Sequence, residues 1–219
     1  MTLTLDAHGP DIHIINAYAP QSGCDATMKE VFYNKLRICL ENFPSSHPTF
    51  IIGDFNARLH ARLPDEHRFI GPHVFGRGLT YLQQMNDATF ENRSMFVEFC
   101  IDNDLWVANS FFQKPPSSQI TFREAGVDHA PPWTPEKFAQ LDFIIAPQRW
   151  KNCVKDAASQ STFCFDSDHY LVVARIEVKL KIPEARKRPV LKFRQPDGVQ
   201  LQIYNRHCLL YTSPSPRDA

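Results

Sequence analysis

An α/β fold is what this sequence predicts, and three stretches carry the prediction. Thr49-Phe50-Ile51-Ile52 is a run of apolar and β-favouring residues ending at Gly53. Before it, apolar residues recur at three- and four-residue spacing from Asp25 to about Asn42, the mark of a helix with one buried face. Near the far end, from Tyr170 to Lys181, apolar and charged residues alternate as in a strand with one buried face. Strand and helix signals interleaved along one chain give a sheet covered by helices.

In chain order, Thr2 to Leu5 alternate, His8-Gly9-Pro10 makes a turn, and Ile12 to Tyr18 forms a second apolar run, so the start reads as a hairpin. Asp25 is placed to cap the first helix. In that helix Met28, Val31, Phe32, Leu36, Cys39 and Leu40 form a stripe expected to pack in the core. Pro44 and Pro48 break the chain before the strand at Thr49–Ile52. Gly71, Gly76 and Gly78 make Arg58 to Thr89 rich in loops. A second helix is expected from about Ser94 to Asn103, burying Phe96, Phe99 and Cys100. Strands follow at Leu105 to Asn109, Gln119 to Arg123 and Leu141 to Ile145. The proline-rich stretch 124–139 reads as a loop over the sheet edge, with Asp128-His129 in a surface turn. In the last strand Val172, Ala174, Ile176, Val178 and Leu180 point inward, and Pro183 ends it.

Chemistry gathers at the strand ends. Asp54 emerges at the carboxyl end of its strand with Asn56 two residues on, and such ends are where α/β sheets place their sites. A carboxylate there can take a proton from water, and an amide can hold the electrophile. The alternative is an Asx-turn that merely closes a strand. Asp142 in Gln140-Leu141-Asp142-Phe143-Ile144, and Ser167-Asp168-His169, also lie beside apolar runs. Taken alone, Asp168-His169 is equally a turn or cap pair. Asn109 reads as a satisfied strand-end amide.

These stretches, with Asn16-Ala17-Tyr18-Ala19-Pro20 upstream and in this order, resemble the endonuclease/exonuclease/phosphatase superfamily. The resemblance is greatest to the apurinic-type endonuclease domain of non-LTR retrotransposons and the craniofacial-development-protein-2-like genes related to them. It runs from about Leu3 to about Leu180. It implies a four-layer α/β/β/α sandwich of two mixed sheets, here lacking its first strands and the metal-binding Glu they carry. It implies that Tyr18 touches a substrate phosphate, although Gln21 stands where many relatives have Asn. Asp54 would activate water and Asn56 orient the phosphate. Asp142 would hold His169 in its cationic form, and His169 would donate to a phosphate oxygen. Asp168 would help hold Mg (or Mn). The function implied is metal-dependent nicking of DNA for retrotransposition, with a possible reverse-transcriptase domain on the full-length polyprotein and a nuclear setting. The truncated chain itself is expected to be inactive or nearly so. The alternatives are another phosphoesterase of the superfamily, or a non-catalytic truncated or domesticated remnant.

Composition narrows the rest. A length of 219 residues fits one main domain, expected over 1–182. Apolar residues make up 43%, enough for a sizeable core. No stretch is long enough to span a membrane, and the first residues show no signal-peptide pattern. The six cysteines have no metal spacing and read as reduced thiols of an intracellular protein. The nine histidines show no ligand pattern. Asn92-Arg93-Ser94 is formally a glycosylation sequon. A net charge of zero argues neither for nor against nucleic acid, but residues 183–207 form a basic linker suited to solvent, phosphate contact or nuclear targeting. Residues 208–219 match the in-frame translation of a transposase-based sequencing adapter and are expected to be an artefact.

Overall fold

The computed structural model describes residues 1–7, 9–85, 88–162 and 167–179. The basic linker and the adapter-like run lie outside the described residues. Strands β1 (Thr2–Leu5) and β2 (Ile12–Tyr18) form the expected hairpin. Helix α1 (Ala26–Glu41) follows, its first turn capped by Asp25, whose Oδ1 accepts the Thr27 N–H at 2.7 Å. Next come β3 (Thr49–Asp54), the short helix α2 (Leu79–Gln84) and α3 (Ala88–Asp102). Strands β4 (Leu105–Val107), β5 (Phe122–Arg123), β6 (Phe138–Ala139) and β7 (Asp142–Pro147) lead to β8 (Val154–Gln160) and β9 (Leu171–Ile176).

The main sheet runs β1-β2-β3-β7-β4, with β2 and β3 parallel and the other pairs antiparallel. Alternation along β3 decides its two faces. Ile51 packs with Leu36, Phe96, Phe99 and Cys100 under α1 and α3. Phe50 and Ile52 point the other way, onto Val154, Ala157, Val172 and Ala174 of the antiparallel pair β8–β9. The fold is therefore layered α/β, with the central strand β3 covered on both faces and the edge strand β1 exposed.

Several elements differ from expectation for identifiable reasons. Strand β3 does not stop at Ile52 but continues through Gly53 to Asp54. Gly53 adopts φ 140°, and a Cβ there would lie 1.9 Å from the Ala17 carbonyl oxygen, so glycine is what lets β2 approach. The stripe expected on α1 is rotated in its first half. Met28 and Val31 are exposed, whereas Lys29 and Leu36 are buried, with Tyr33 and Leu40 packed beside them. Lys29 reaches inward because its ammonium donates to the Ser22 carbonyl at 2.9 Å and is ion-paired with Glu91. Hydrophobicity alone cannot place a lysine on an inner face.

Helix α3 starts earlier than expected, because its first turns bury polar groups. The Arg93 guanidinium binds both carboxylate oxygens of Glu66, at 2.9 and 2.6 Å, and donates to the Leu59 and Ala61 carbonyls. Asn92 is likewise buried, so the sequon asparagine faces the interior. Strand β4 ends at Val107, and Ala108–Phe111 forms a single 3-10 turn rather than strand. Strand β5 is only Phe122–Arg123, while β7 runs on to Pro147. Strand β9 ends at Ile176, with Ile176 itself exposed, and Leu180 lies outside the described residues. Strand β8 carries no clear alternation in Val154-Lys155-Asp156-Ala157-Ala158-Ser159-Gln160 and comes from pairing with β9. Of the expected surface turn Asp128-His129, Asp128 is exposed, but the half-buried His129 ring packs at a tilt against Trp133 and Tyr170. The histidines show no ligand pattern along the sequence, yet the fold gathers two of them. Buried His13, at the start of β2, lies beside His47 and Asp11.

The Arg93–Glu66 pair should dominate any comparison of ion pairs. Glu66→Ala leaves a buried guanidinium unpaired and should cost about 3–5 kcal/mol in urea unfolding. Arg37→Ala removes the exposed pair with Glu41 on α1 and should cost about 0.5 kcal/mol or less. Equal losses would show that the buried pair is not an organising contact.

Candidate active site

Three strand ends meet at one edge of the main sheet. The parallel register of β2 and β3 sets Tyr18 beside Asp54, and the antiparallel register of β3 and β7 sets Asp142 directly opposite Asp54. Tyr18 is 68% exposed, whereas Asp54 is 7% exposed. Beyond Asp54 the chain turns sharply. Asn56 takes the left-handed conformation at φ 49°, and its backbone N–H donates to Asp54 Oδ1 at 2.8 Å. The Asx-turn left open by the sequence is thus present, and it also carries Asn56 into the cleft. The Asn56 side-chain amide donates to the Ala19 carbonyl at 2.8 Å. From α3, Asn92 donates to the carbonyls of Pro20 and Asn56, both at 3.0 Å. This network ties the turn after β3 to the chain leaving β2.

Asp142 is held just as firmly. Its backbone N–H donates to the buried Thr121 hydroxyl at 3.0 Å, and its carbonyl accepts from Asn109 Nδ2 at 3.2 Å. Asn109 also accepts the Ile144 N–H at 2.8 Å, so it is the satisfied structural amide its sequence position suggests. His169 comes from the segment before β9, which bridges to β5: the Arg123 N–H donates to the Asp168 carbonyl and the Tyr170 N–H to the Thr121 carbonyl, each at 2.8 Å. The imidazole Nδ1 lies 2.9 Å from Asp142 Oδ2, and Nε2 lies 3.8 Å from Asp54 Oδ2. The Phe122 ring meets the imidazole edge-on at 5.2 Å.

The electrostatics follow from that packing. Burial pushes the Asp54 carboxyl up to about 6, helped by Asp142 and Asp168 and opposed by the Asn56 N–H and by His169. For His169 the hydrogen bond to Asp142 outweighs burial and raises the imidazole above its ordinary value, with the charges of Asp142, Asp54 and Asp168 adding to the rise. Asp168 is exposed on the rim of the same cleft.

The cleft has a volume of about 560 Å³, and Tyr18, Asp54, Asn56, Asp168 and His169 all line it. Sequence reading had assigned no site role to Arg58, Glu124, Thr89 or Phe122, which line it too. Arg58 and Glu124 pair across the cleft at 2.6 Å, joined from segments distant in sequence, so no local motif announces them. Thr121 and Asn92 could have been found only through their burial. Asp128 and His129 stay apart from this group: His129 Nδ1 bonds the Tyr170 hydroxyl at 2.7 Å within an aromatic cluster.

No family model matches the chain. Among curated proteins it resembles craniofacial development protein 2 from Bos taurus, 29% identical over 179 residues, and that from Tragulus javanicus, 30% identical over 182 residues. Each match covers 82% of this chain but only 27% and 28% of those proteins, so the chain spans just over a quarter of their length. Among solved structures it is similar to the AP endonuclease of Leishmania major, with TM-score 0.55 and 19% identity, covering 81% of this chain and 54% of that one. It is similar also to a 3'-5' exonuclease from Neisseria meningitidis, with TM-score 0.53 and 15% identity, covering 81% of this chain and 65% of that one. The same Neisseria protein is described as a 3' phosphatase in a structure bound to a product DNA hairpin, which matches at TM-score 0.50. The layered architecture built above is accordingly the fold of the endonuclease/exonuclease/phosphatase proteins.

Proposed function

We propose that the chain is a metal-dependent phosphodiesterase acting on DNA, and more narrowly the nicking endonuclease of a non-LTR retrotransposon. One observation carries the reading: His169 is bonded to Asp142 on one side and faces Asp54 on the other, in a polar cleft open to a phosphate. In this reading Asp54 takes the proton of the attacking water; a carboxyl near 6 is ionised at neutral pH yet still basic enough to accept it. The water oxygen bonds to phosphorus as the P–O bond to the leaving group breaks. Cationic His169 donates from Nε2 to a phosphate oxygen, and Asp142 positions it. Tyr18 and Asn56 orient the phosphate.

The charge of the cleft bears on the cofactor. Among the described residues that line it, Asp54, Asp168 and Glu124 stand against Arg58 and His169, and Asp142 behind His169 adds a further carboxylate. A phosphate therefore enters against net negative charge, and a hard divalent cation suits these oxygen donors. Asp168 would hold Mg (or Mn), which neutralises charge on the phosphate. A single exposed carboxylate is a weak magnesium site, so turnover by the isolated chain is proposed to be slow. A nuclear setting and a reverse-transcriptase domain on the same polyprotein belong to the narrower reading. No described helix is long and apolar enough to cross a membrane.

The test is cleavage of supercoiled plasmid, an abasic duplex and a 3'-phosphorylated hairpin with saturating Mg or Mn. His169→Ala and Asp54→Asn should each lower the rate by about 10²–10³-fold on whichever DNA is cut, as for loss of one pre-organised transition-state group. Preference for the 3'-phosphate would replace the endonuclease by a phosphatase. No cleavage of any substrate, or unchanged rates in both variants, would favour the non-catalytic reading.

The imidazole supplies a second check. In chelator-treated protein, NMR should place the His169 titration above its ordinary 6.5, and Asp142→Asn should lower it. The sign carries over to stability. A raised folded pKa means that the His169–Asp142 contribution is complete below 6.5 and is lost as pH rises through the raised value. Asp54 acts in the same direction, since its rise from 3.8 to about 6 favours the folded state while the carboxyl is protonated. A His169 titration at or below 6.5 would show that burial outweighs the pair.

A further inference from the structure

The opposite end of the main sheet holds a second group of ligating side chains. His13, the second residue of β2, is in register with Thr49 at the start of β3, whereas Tyr18 and Asp54 end those strands. Five residues of strand separate the two ends by about 17 Å. There His13 Nε2 lies 3.0 Å from His47 Nδ1, and ligand atoms of Asp11, His13 and His47 all lie within 4.8 Å of one another. We infer that Asp11, His13 and His47 form a zinc-binding site separate from the catalytic cleft.

The geometry supports this on three counts. The first is spacing. Tetrahedral zinc with nitrogens at about 2.0–2.1 Å sets them roughly 3.3 Å apart, so the two imidazoles need to open by only a few tenths of an ångström. Asp11 stands two residues before His13, on the same side of an extended stretch, and its half-buried carboxylate closes by side-chain rotation. The second is pre-organisation. His13 is 5% exposed and stacks on Phe43 with centroids 4.2 Å apart. The Thr4 hydroxyl, 3.0 Å from His13 Nδ1, engages that nitrogen and leaves Nε2 as the ligand atom, as outer partners of metal-bound histidines do. His47 is braced by its backbone N–H, which donates to the Pro44 carbonyl at 2.8 Å. The third is donor chemistry. The hydrogen bond between two neutral imidazoles holds one proton between them; a change of tautomer moves it to the outer nitrogen of its own ring, so both rings stay neutral and both inner nitrogens offer lone pairs to zinc. Two imidazoles and one carboxylate favour zinc over magnesium, with water as the fourth ligand.

Bound zinc would join the β1–β2 hairpin to the loop that feeds β3. That site acts on the register of the two strands whose far ends carry Tyr18 and Asp54.

The experiment titrates zinc, and cobalt(II) as its spectroscopic stand-in, into the full chain carrying Asp168→Asn, so that the proposed catalytic cation does not interfere. One zinc per chain should bind, cobalt should show the visible bands of four-coordinate geometry, and excess magnesium should not displace either ion. Zinc should raise the melting temperature. His47→Gln and Asp11→Asn, each checked for folding by circular dichroism, should weaken binding by at least roughly 10–100-fold, the loss found when merely an outer partner is removed. His13 is too buried for its substitution to serve as the sole test. No binding in the Asp168→Asn chain, ready displacement by magnesium, or unchanged affinity in both folded variants would overturn the site.

Discussion

Asp54 and Asp142 face each other across the β3–β7 pair, and this juxtaposition of like charges governs the site. Carboxylates directly opposite in an antiparallel pair repel. Two features relieve the repulsion. Asp54, the more buried, has its carboxyl raised to about 6. Asp142 directs its charge at His169, whose imidazole then stands between the two strands' ends. A cationic imidazole lowers the repulsion, and the carboxylates in turn favour the cation, so the group is mutually dependent. Asp142 first, and Asp54 with it, hold the His169 imidazole toward its charged form.

Keeping such a group together requires rigid neighbours, and the chain supplies them from its core. Thr121 and Asn109 hold both backbone polar groups of Asp142, while Asn92 and Ala19 hold the turn around Asn56. These contacts reach the site from the residue before β5, the turn after β4, α3 and the residue after β2. Helix α3 links them to the interior: one face carries Phe96, Phe99 and Cys100 into the core, and its first turns carry Asn92 and Arg93 to buried carbonyls and to Glu66. Polar burial here costs desolvation, which is offset because the Asn92 amide and the Arg93 guanidinium donate to carbonyls and to Glu66.

Strand β2 carries clustered polar side chains at both ends for a simple reason. Parallel pairing with β3 aligns the two strands start to start and end to end. Residues of one face recur every second position, so His13, Ile15 and Ala17 share one side, while Asn16 and Tyr18 share the other. Gly53 permits the close approach of β2 at the Tyr18–Asp54 end, and the stacked His13, His47 and Phe43 close the opposite end.

The sequence by itself determined which polar residues stand near strand ends. Apolar runs that stop at Asp54, begin at Asp142 or follow His169 place those residues at one end of the sheet, since the polar residue lies where the buried run stops. It determined the capped first helix and the hairpin for the same local reasons. Only the tertiary structure decided which polar residues lie inside. Lys29, Asn92 and Arg93 are buried because distant partners, Glu91, Pro20 and Glu66, satisfy them, and no local period encodes a partner far along the chain. Strand β8 exists because β9 offers it a ladder, and the Arg58–Glu124 and His13–His47 pairs exist because parallel and bridged strands bring distant segments together. Hydrophobic periodicity is a local property of the chain, whereas charge pairing and ligand geometry are properties of the packed sheet.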